Sequence, residues 1–178
     1  KYCVAFNSNT WEQYNKTVKS VSFAKSLTIP ANAFSNCSAL ERVDFSRAET
    51  INGGAFLGCI ALTELNLPNA TTIGGSIILN SGVKKISLPK ITSIPYQGLC
   101  NAPELEEAYL ESVETTTTGW MAGCPKLRIL MLGKVKDFNS SLGASTELEY
   151  LGIKEGTTAS LPLNSHPKLT EECLLQIV

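Results

Sequence analysis

The chain has 178 residues, of which 43% are hydrophobic and 17% charged, and its formal net charge is −1. That is enough for one ordinary domain or a short repeat array with a substantial apolar core. The near-neutral balance argues against a phosphate-binding surface and so against a nucleic-acid partner, and no apolar run approaches the ~18 residues of a membrane span.

Residues 1–17 read as an N-terminal unit. Tyr2, Val4 and Phe6 alternate and suggest an edge strand. Thr10, Trp11, Glu12 and Gln13 have capping-box spacing, and Trp11, Tyr14 and Val18 share one helical face, so a short capping helix is expected. The chain opens on Lys1 with no apolar signal core, as expected of a processed product or an excised piece.

Residues 18–169 carry a repeat. Val18, Leu40, Leu62, Val83, Leu105, Leu127, Leu148 and Leu169 are spaced by 22, 22, 21, 22, 22, 21 and 21 residues. Three residues later comes a second column: Val21, Val43, Leu65, Ile86, Ala108, Leu130 and Leu151. Two further on comes a third: Phe23, Phe45, Leu67, Leu88, Leu110, Leu132 and Ile153. Apolar residues two apart are the period of a half-buried strand, so seven short strands are expected. Phe34, Phe56, Ile77, Leu99, Met121, Leu142 and Leu163 form another apolar column on the return leg. A unit of ~22 residues cannot bury its own apolar face, so about seven units must stack with parallel strands. Gly54-Ala55-Phe56 and Gly119-Trp120-Met121 read as helical turns or tight bends on the return leg. Residues 170–178 read as the start of a C-terminal capping helix. Thr170, Glu171 and Glu172 would open it, and Leu174, Leu175, Ile177 and Val178 would form its apolar side.

These residues resemble the BspA-like leucine-rich repeats. The segment 40–62 carries the pattern on Leu40, Val43, Phe45, Ile51, Gly53, Gly54, Ala55, Phe56, Cys59 and Leu62, and 29–37 is similar one turn earlier. The resemblance implies a leucine-rich-repeat solenoid, with a parallel β-sheet on the concave face. Short helical turns or irregular segments would form the convex face, with short capping helices at both ends. It also implies a bacterial cell-surface or extracellular setting, a role in adhesion, and no shared catalytic residues.

No nucleophile elbow, phosphate loop or metal-protease motif is present, so an enzyme is not expected, nor any cofactor. Cys37, Cys59 and Cys124 share one turn column with Asn80, Ala102, Ser145 and His166. They read as buried free thiols, because CxxC-like pairs for zinc are absent. His166 reads as a surface or cap histidine. Glu104, Glu106, Glu107, Glu111 and Glu114 read as a solvated face. Two outward columns line the expected sheet face: Ser20, Arg42, Glu64, Lys85, Glu107, Ile129, Tyr150, and Ser22, Asp44, Asn66, Ser87, Tyr109, Met131, Gly152. The alternating charges of the first read as register. Tyr109, Ile129, Met131 and Tyr150 should cluster on neighbouring strands and are the candidate partner-binding residues. The expected function is recognition or adhesion, with a protein or glycan ligand. The alternatives are an intracellular scaffold or inhibitor, and a rigid spacer in a larger surface protein.

Overall fold

The computed structural model describes residues 15–23, 27–137, 142–154 and 166–169, and the backbone of 174–177. Its strands follow in chain order: β1 (Ser20–Ser22), β2 (Thr28–Ile29), β3 (Arg42–Asp44), β4 (Thr50–Ile51), β5 (Glu64–Asn66), β6 (Thr72–Ile73), β7 (Lys85–Ser87), β8 (Ser93–Ile94), β9 (Glu107–Leu110), β10 (Thr115–Thr116), β11 (Ile129–Leu132), β12 (Tyr150–Lys154) and β13 (Leu174–Ile177). The seven strands expected from the repeat are β1, β3, β5, β7, β9, β11 and β12. Six strands form one parallel sheet in the order β13-β12-β11-β9-β7-β5, and β1 pairs with β3 beside it. Register is strict, as in Leu65↔Ile86↔Ala108↔Leu130↔Leu151. Alternation explains why these segments are strands. Leu65 is buried between exposed Glu64 and Asn66, and Ala108, Leu110, Leu130 and Leu132 are buried between half-buried neighbours.

A second ladder runs along the return leg. Here β2, β4 and β6 pair in parallel, as do β8 and β10. Ile29, Ile51 and Ile94 point into the core, and Thr28, Thr72, Ser93 and Thr115 face outward. Pro30, Pro68, Pro89 and Pro95 stand just after strand residues, where a missing amide donor ends each ladder.

The expected helical turns are not there: among the described residues the chain has no helix. In their place is a third set of inter-coil bonds. The amides of Asn32, Phe34 and Asn36 donate to the carbonyls of Gly53, Ala55 and Leu57 at 3.0, 2.8 and 2.6 Å. Those of Gly54, Phe56 and Gly58 donate to Gly75, Ile77 and Leu79 at 3.0, 2.9 and 2.9 Å. Backbone conformation is the reason. Two left-handed residues four apart recur in successive coils: Asn32 and Asn36, Gly54 and Gly58, Ser76 and Asn80, Gln97 and Asn101, Gly119 and Gly123. Such residues interrupt a right-handed helix and turn alternate peptides toward the next coil. At Gly54, Gly58 and Gly123 the absent Cβ also admits an asparagine side chain of the preceding coil. A Cβ on Gly54 would lie 2.2 Å from Asn32 Oδ1, and one on Gly123 would lie 2.3 Å from Asn101 Oδ1.

The caps depart from expectation as well. Of the edge strand and capping helix placed in residues 1–17, residues 1–14 lie outside the described residues, and 15–17 form a turn rather than helix. At the C-terminal end, 174–177 is a strand rather than a helix, with Leu151↔Leu174 and Gly152↔Leu175 in register. The open edge of β12 offers amides and carbonyls that only another strand can satisfy, and a Leu-Leu-Gln-Ile run accepts that pairing.

The core is a column structure. Leu40, Leu62, Val83, Leu105, Leu127 and Leu148 are fully buried, and the Phe34, Phe56, Ile77, Leu99 and Met121 column faces them from the return leg. Toward the N-terminal end the core is aromatic: Phe34 and Phe45 stack at 5.4 Å, Phe34 and Phe56 at 5.7 Å, and Phe23 and Phe45 at 5.6 Å. Fully burying one such ring contributes roughly 1.5–3 kcal/mol. Trp120 is fully buried in a column otherwise held by Ala33, Ala55, Ser76 and Gly98.

Tight stacking makes some glycines irreplaceable for lack of space. A Cβ on Gly82 would meet the Ile60 carbonyl oxygen at 2.1 Å, and that oxygen is backbone and cannot swing aside. Gly143 has nothing within 4 Å of its would-be Cβ. Urea denaturation is expected to show Gly82→Ala less stable by roughly 1–3 kcal/mol, with Gly143→Ala close to neutral; equal behaviour of the two would refute the close stacking.

Candidate functional site

The outer face of the long sheet is built by parity. Every second residue of each strand enters the core, so the residues between them are set side by side by register. One row runs Glu64↔Lys85↔Glu107↔Ile129↔Tyr150, and the next runs Asn66↔Ser87↔Tyr109↔Met131↔Gly152. The four residues expected to cluster are therefore brought together on β9, β11 and β12. Ile129 neighbours Tyr150, Tyr109 neighbours Met131, and Ile129 and Met131 sit two apart on one strand. Tyr150 is 45% exposed, and the other three are half-buried. Beneath them Ala108, Leu130 and Leu151 are fully buried, which fixes the strip to a packed floor.

Beside this strip lies a feature that the sequence reading missed. A shallow depression of about 410 Å³ is lined by Glu64, Leu65, Asn66, Lys85, Ser87, Tyr109 and Glu111. Tyr109 belongs to both strip and depression. The signal for it in the sequence is Glu111, the next outward residue after Tyr109, together with the alternating charge column.

The wall of the depression is held by a three-residue network. Lys85 Nζ lies 3.1 Å from Glu107 Oε2 and 4.8 Å from the centre of the Tyr109 ring. The Tyr109 hydroxyl donates to the same Glu107 oxygen at 2.9 Å. Hydrogen bonds from Lys85 and then Tyr109 hold the Glu107 carboxyl below its ordinary value. The bond to Glu107 raises Lys85, and desolvation followed by the Glu107 bond raises Tyr109. The charge column is thus partly register, as expected, since Lys85 and Glu107 do pair.

Other acids are also paired across coils. Glu104 meets Lys126 at 2.7 Å, Glu106 meets Lys84 at 3.4 Å, and Glu149 meets Arg128 at 2.8 Å. Among the described residues, no group of three or more His, Cys, Asp or Glu side chains is placed to hold a metal ion. Among them, too, no helix is long and apolar enough to cross a membrane.

The turn column works as a donor ladder. The Cys59 thiol donates to the Phe34 carbonyl at 3.0 Å, and Cys124 donates to Leu99 at 3.3 Å. Ser145 continues the ladder to the Cys124 carbonyl at 3.1 Å, and His166 Nδ1 lies 2.9 Å from the Ser145 carbonyl. His166 is therefore buried rather than on the surface. Cys37, Cys59, Cys100 and Cys124 are free and buried. Desolvation pushes the Cys59 and Cys124 thiols up to about 12.

Residues 27–149 match the BspA type leucine rich repeat region in six copies. The chain belongs to this family. A crystal structure of a leucine-rich repeat protein from Eubacterium ventriosum is similar at 22% identity and a TM-score of 0.62, covering 82% of this chain and 44% of that one. A leucine rich cell surface protein from Faecalibacterium prausnitzii aligns at 15% identity and a TM-score of 0.39, covering 89% of this chain and 59% of that one. This chain thus spans less than two thirds of either structure. The first likeness shows the fold. No curated protein matches the chain.

Two measurements probe these electrostatics. The folded thiols hold their protons to higher pH than unfolded ones, so above pH 9.0, the ordinary thiol value, the unfolded state binds fewer protons and stability falls. Stability is expected to decline from pH 9 toward 12, by up to about 1.4 kcal/mol per pH unit for each thiol. A Cys59→Ala/Cys124→Ala variant should show a shallower decline in denaturant titrations, and an unchanged slope contradicts the assignment. For Glu107, carboxyl titration by NMR is expected below the usual glutamate range. Tyr109→Phe should move it up, because one of the two lowering bonds is gone.

Proposed function

We propose that this chain is a non-catalytic recognition or adhesion module at the cell surface, taking a protein or glycan partner on the outer face of its long sheet. The observation that carries this reading is the clustering of Tyr109, Ile129, Met131 and Tyr150 on three neighbouring strands beside a 410 Å³ depression. Exposed apolar patches mark interaction sites, and tyrosine is among the residue types that dominate binding energy once a partner covers it. The paired acids favour binding over chemistry, since Glu107 is held below the ordinary carboxyl value by partners that keep it ionised. The cell-surface setting is supported by the repeat type, which resembles that of bacterial surface proteins.

A second reading, an intracellular scaffold or inhibitor, is favoured by one observation: four cysteines are free. Their burial makes this a weak discriminator, because buried thiols are inert in either compartment, and those of Cys59 and Cys124 are raised to about 12.

Protease shaving of intact source cells separates the two readings. Released peptides of this chain, with a cytosolic marker absent, are the expected result; peptides seen only after lysis overturn the surface reading. The site is tested on an array of immobilised matrix proteins and glycans. Tyr109→Ala/Tyr150→Ala is expected to weaken binding to the captured partner by about tenfold or more, with the melting transition nearly unmoved. Unaltered affinity rules out the strip as the docking face.

A further inference from the structure

The depression beside Tyr109 carries an unbalanced charge. Its lining holds two carboxylates, Glu64 and Glu111, against one ammonium, Lys85. That ammonium is already committed to Glu107 and to the Tyr109 ring. Neither Glu64 nor Glu111 forms an ion pair among the described residues, and Arg42, the next cation along the same row, stays outside ion-pair distance of Glu64. Glu41, Glu104, Glu106, Glu107, Glu147 and Glu149 each have a lysine or arginine partner on an adjacent coil, whereas Glu49 and Glu114, which lie outside the depression, have none within ion-pair distance among the described residues. Asn66 and Ser87 line the same depression and add neutral hydrogen-bonding groups.

We propose that the depression takes the basic side chain, an arginine or a lysine, of an extended protein segment that crosses the strands and rests an apolar side chain on the Ile129–Tyr150 strip. This rests on the reading that the sheet face is the docking surface, and narrows the partner to a protein. Charge complementarity selects the occupant: two carboxylates outside any ion pair attract a cation more strongly than they hold the hydroxyls of a neutral sugar, and they repel an acidic polysaccharide. A planar guanidinium matches carboxylate geometry and reaches amide and hydroxyl acceptors alongside. Continuity comes from Tyr109, which walls the depression and neighbours Met131 in the strip.

Spacing gives the motif. The depression centres on β7, and the Ile129↔Tyr150 pair lies between β11 and β12. With strands ~4.8 Å apart, the two centres are about 12 Å apart. An extended chain advances ~3.3 Å per residue and presents every second side chain to one face, so the apolar residue stands four positions from the basic one, about 13 Å away.

The test uses the full chain, ¹⁵N-labelled, titrated with acetyl-Arg-Ser-Gly-Ser-Phe-amide and, in parallel, with its charge-reversed form carrying glutamate in place of arginine. Saturable amide shifts at 64–66, 85–87, 109–111 and 129–131 with the arginine peptide alone are expected. Glu64→Gln/Glu111→Gln should weaken that binding by about tenfold, and about 0.5 M salt should weaken it further. Equal behaviour of the two peptides, no saturable shift with either, or unaltered affinity in the glutamine variant overturns the proposal. Shifts of the same residues with a neutral chito-oligosaccharide in place of the peptide also overturn it, by naming a glycan as occupant. If Tyr109→Ala/Tyr150→Ala still abolishes capture of an array partner, the sheet-face reading survives that failure. If it does not, both fall together.

Discussion

Every coil of this chain depends on the next one for its backbone hydrogen bonds. The long sheet, the return-leg ladder and the alternating amides of the turn all donate or accept across coils, so an isolated repeat would lose most of its backbone partners and could not hold its shape. This requirement sets the spacing of everything else. Successive coils can be no farther apart than one hydrogen bond, and side chains at equivalent positions are therefore forced into columns. The Gly82 backbone packs against the Ile60 carbonyl because nothing larger fits between two coils so spaced. Cys59, Cys124, Ser145 and His166 share one column because each must offer a donor to the carbonyl of the coil before it.

Columns are also what made the fold legible. Leucine spacing and two-residue alternation identified the seven strands and assigned Tyr109, Ile129, Met131 and Tyr150 to one face, because parity and register depend on nothing beyond the sequence period. The return leg was less legible. Ala55-Phe56 and Trp120-Met121 have apolar spacing that a helical turn and an irregular ladder satisfy equally. The deciding signal was the glycine or asparagine pair four apart, at 54 and 58, 32 and 36, 119 and 123, whose left-handed φ values exclude a continuous helix. The C-terminal error has a different origin. Thr170-Glu171-Glu172 is a local helix-start pattern, while the strand at 174–177 answers to the unpaired edge of β12, a tertiary demand that no local pattern reports.

The depression was missed for a third reason. An alternating charge column is explained fully by pairing until one asks which partners are present. Lys85 can serve only one of its neighbours well. It serves Glu107, which also holds the Tyr109 hydroxyl, and Glu64 is left over. Charge sequence alone does not say which of two flanking acids wins; the contest is settled by Tyr109, whose ring lies under the ammonium and whose hydroxyl fixes Glu107.

The separation of inward and outward columns has a functional consequence. Core columns keep their apolar character from Leu40 to Leu148, while the outward rows pass from Arg42 and Asp44 through Glu64 and Lys85 to Ile129 and Tyr150. The face can therefore change its chemistry coil by coil at little cost to the fold, since an outward substitution leaves the ladder and the core untouched. The same arrangement limits what one coil can recognise, because each contributes only two or three outward side chains to the sheet face. A ligand that senses both the polar depression and the apolar strip must reach from β7 to the β11–β12 pair, and in doing so it bridges coils that otherwise hold only their nearest neighbours. Binding of that kind ties separate nearest-neighbour contacts into one unit, so occupancy of the face should stiffen the array along its axis as well as identify a partner.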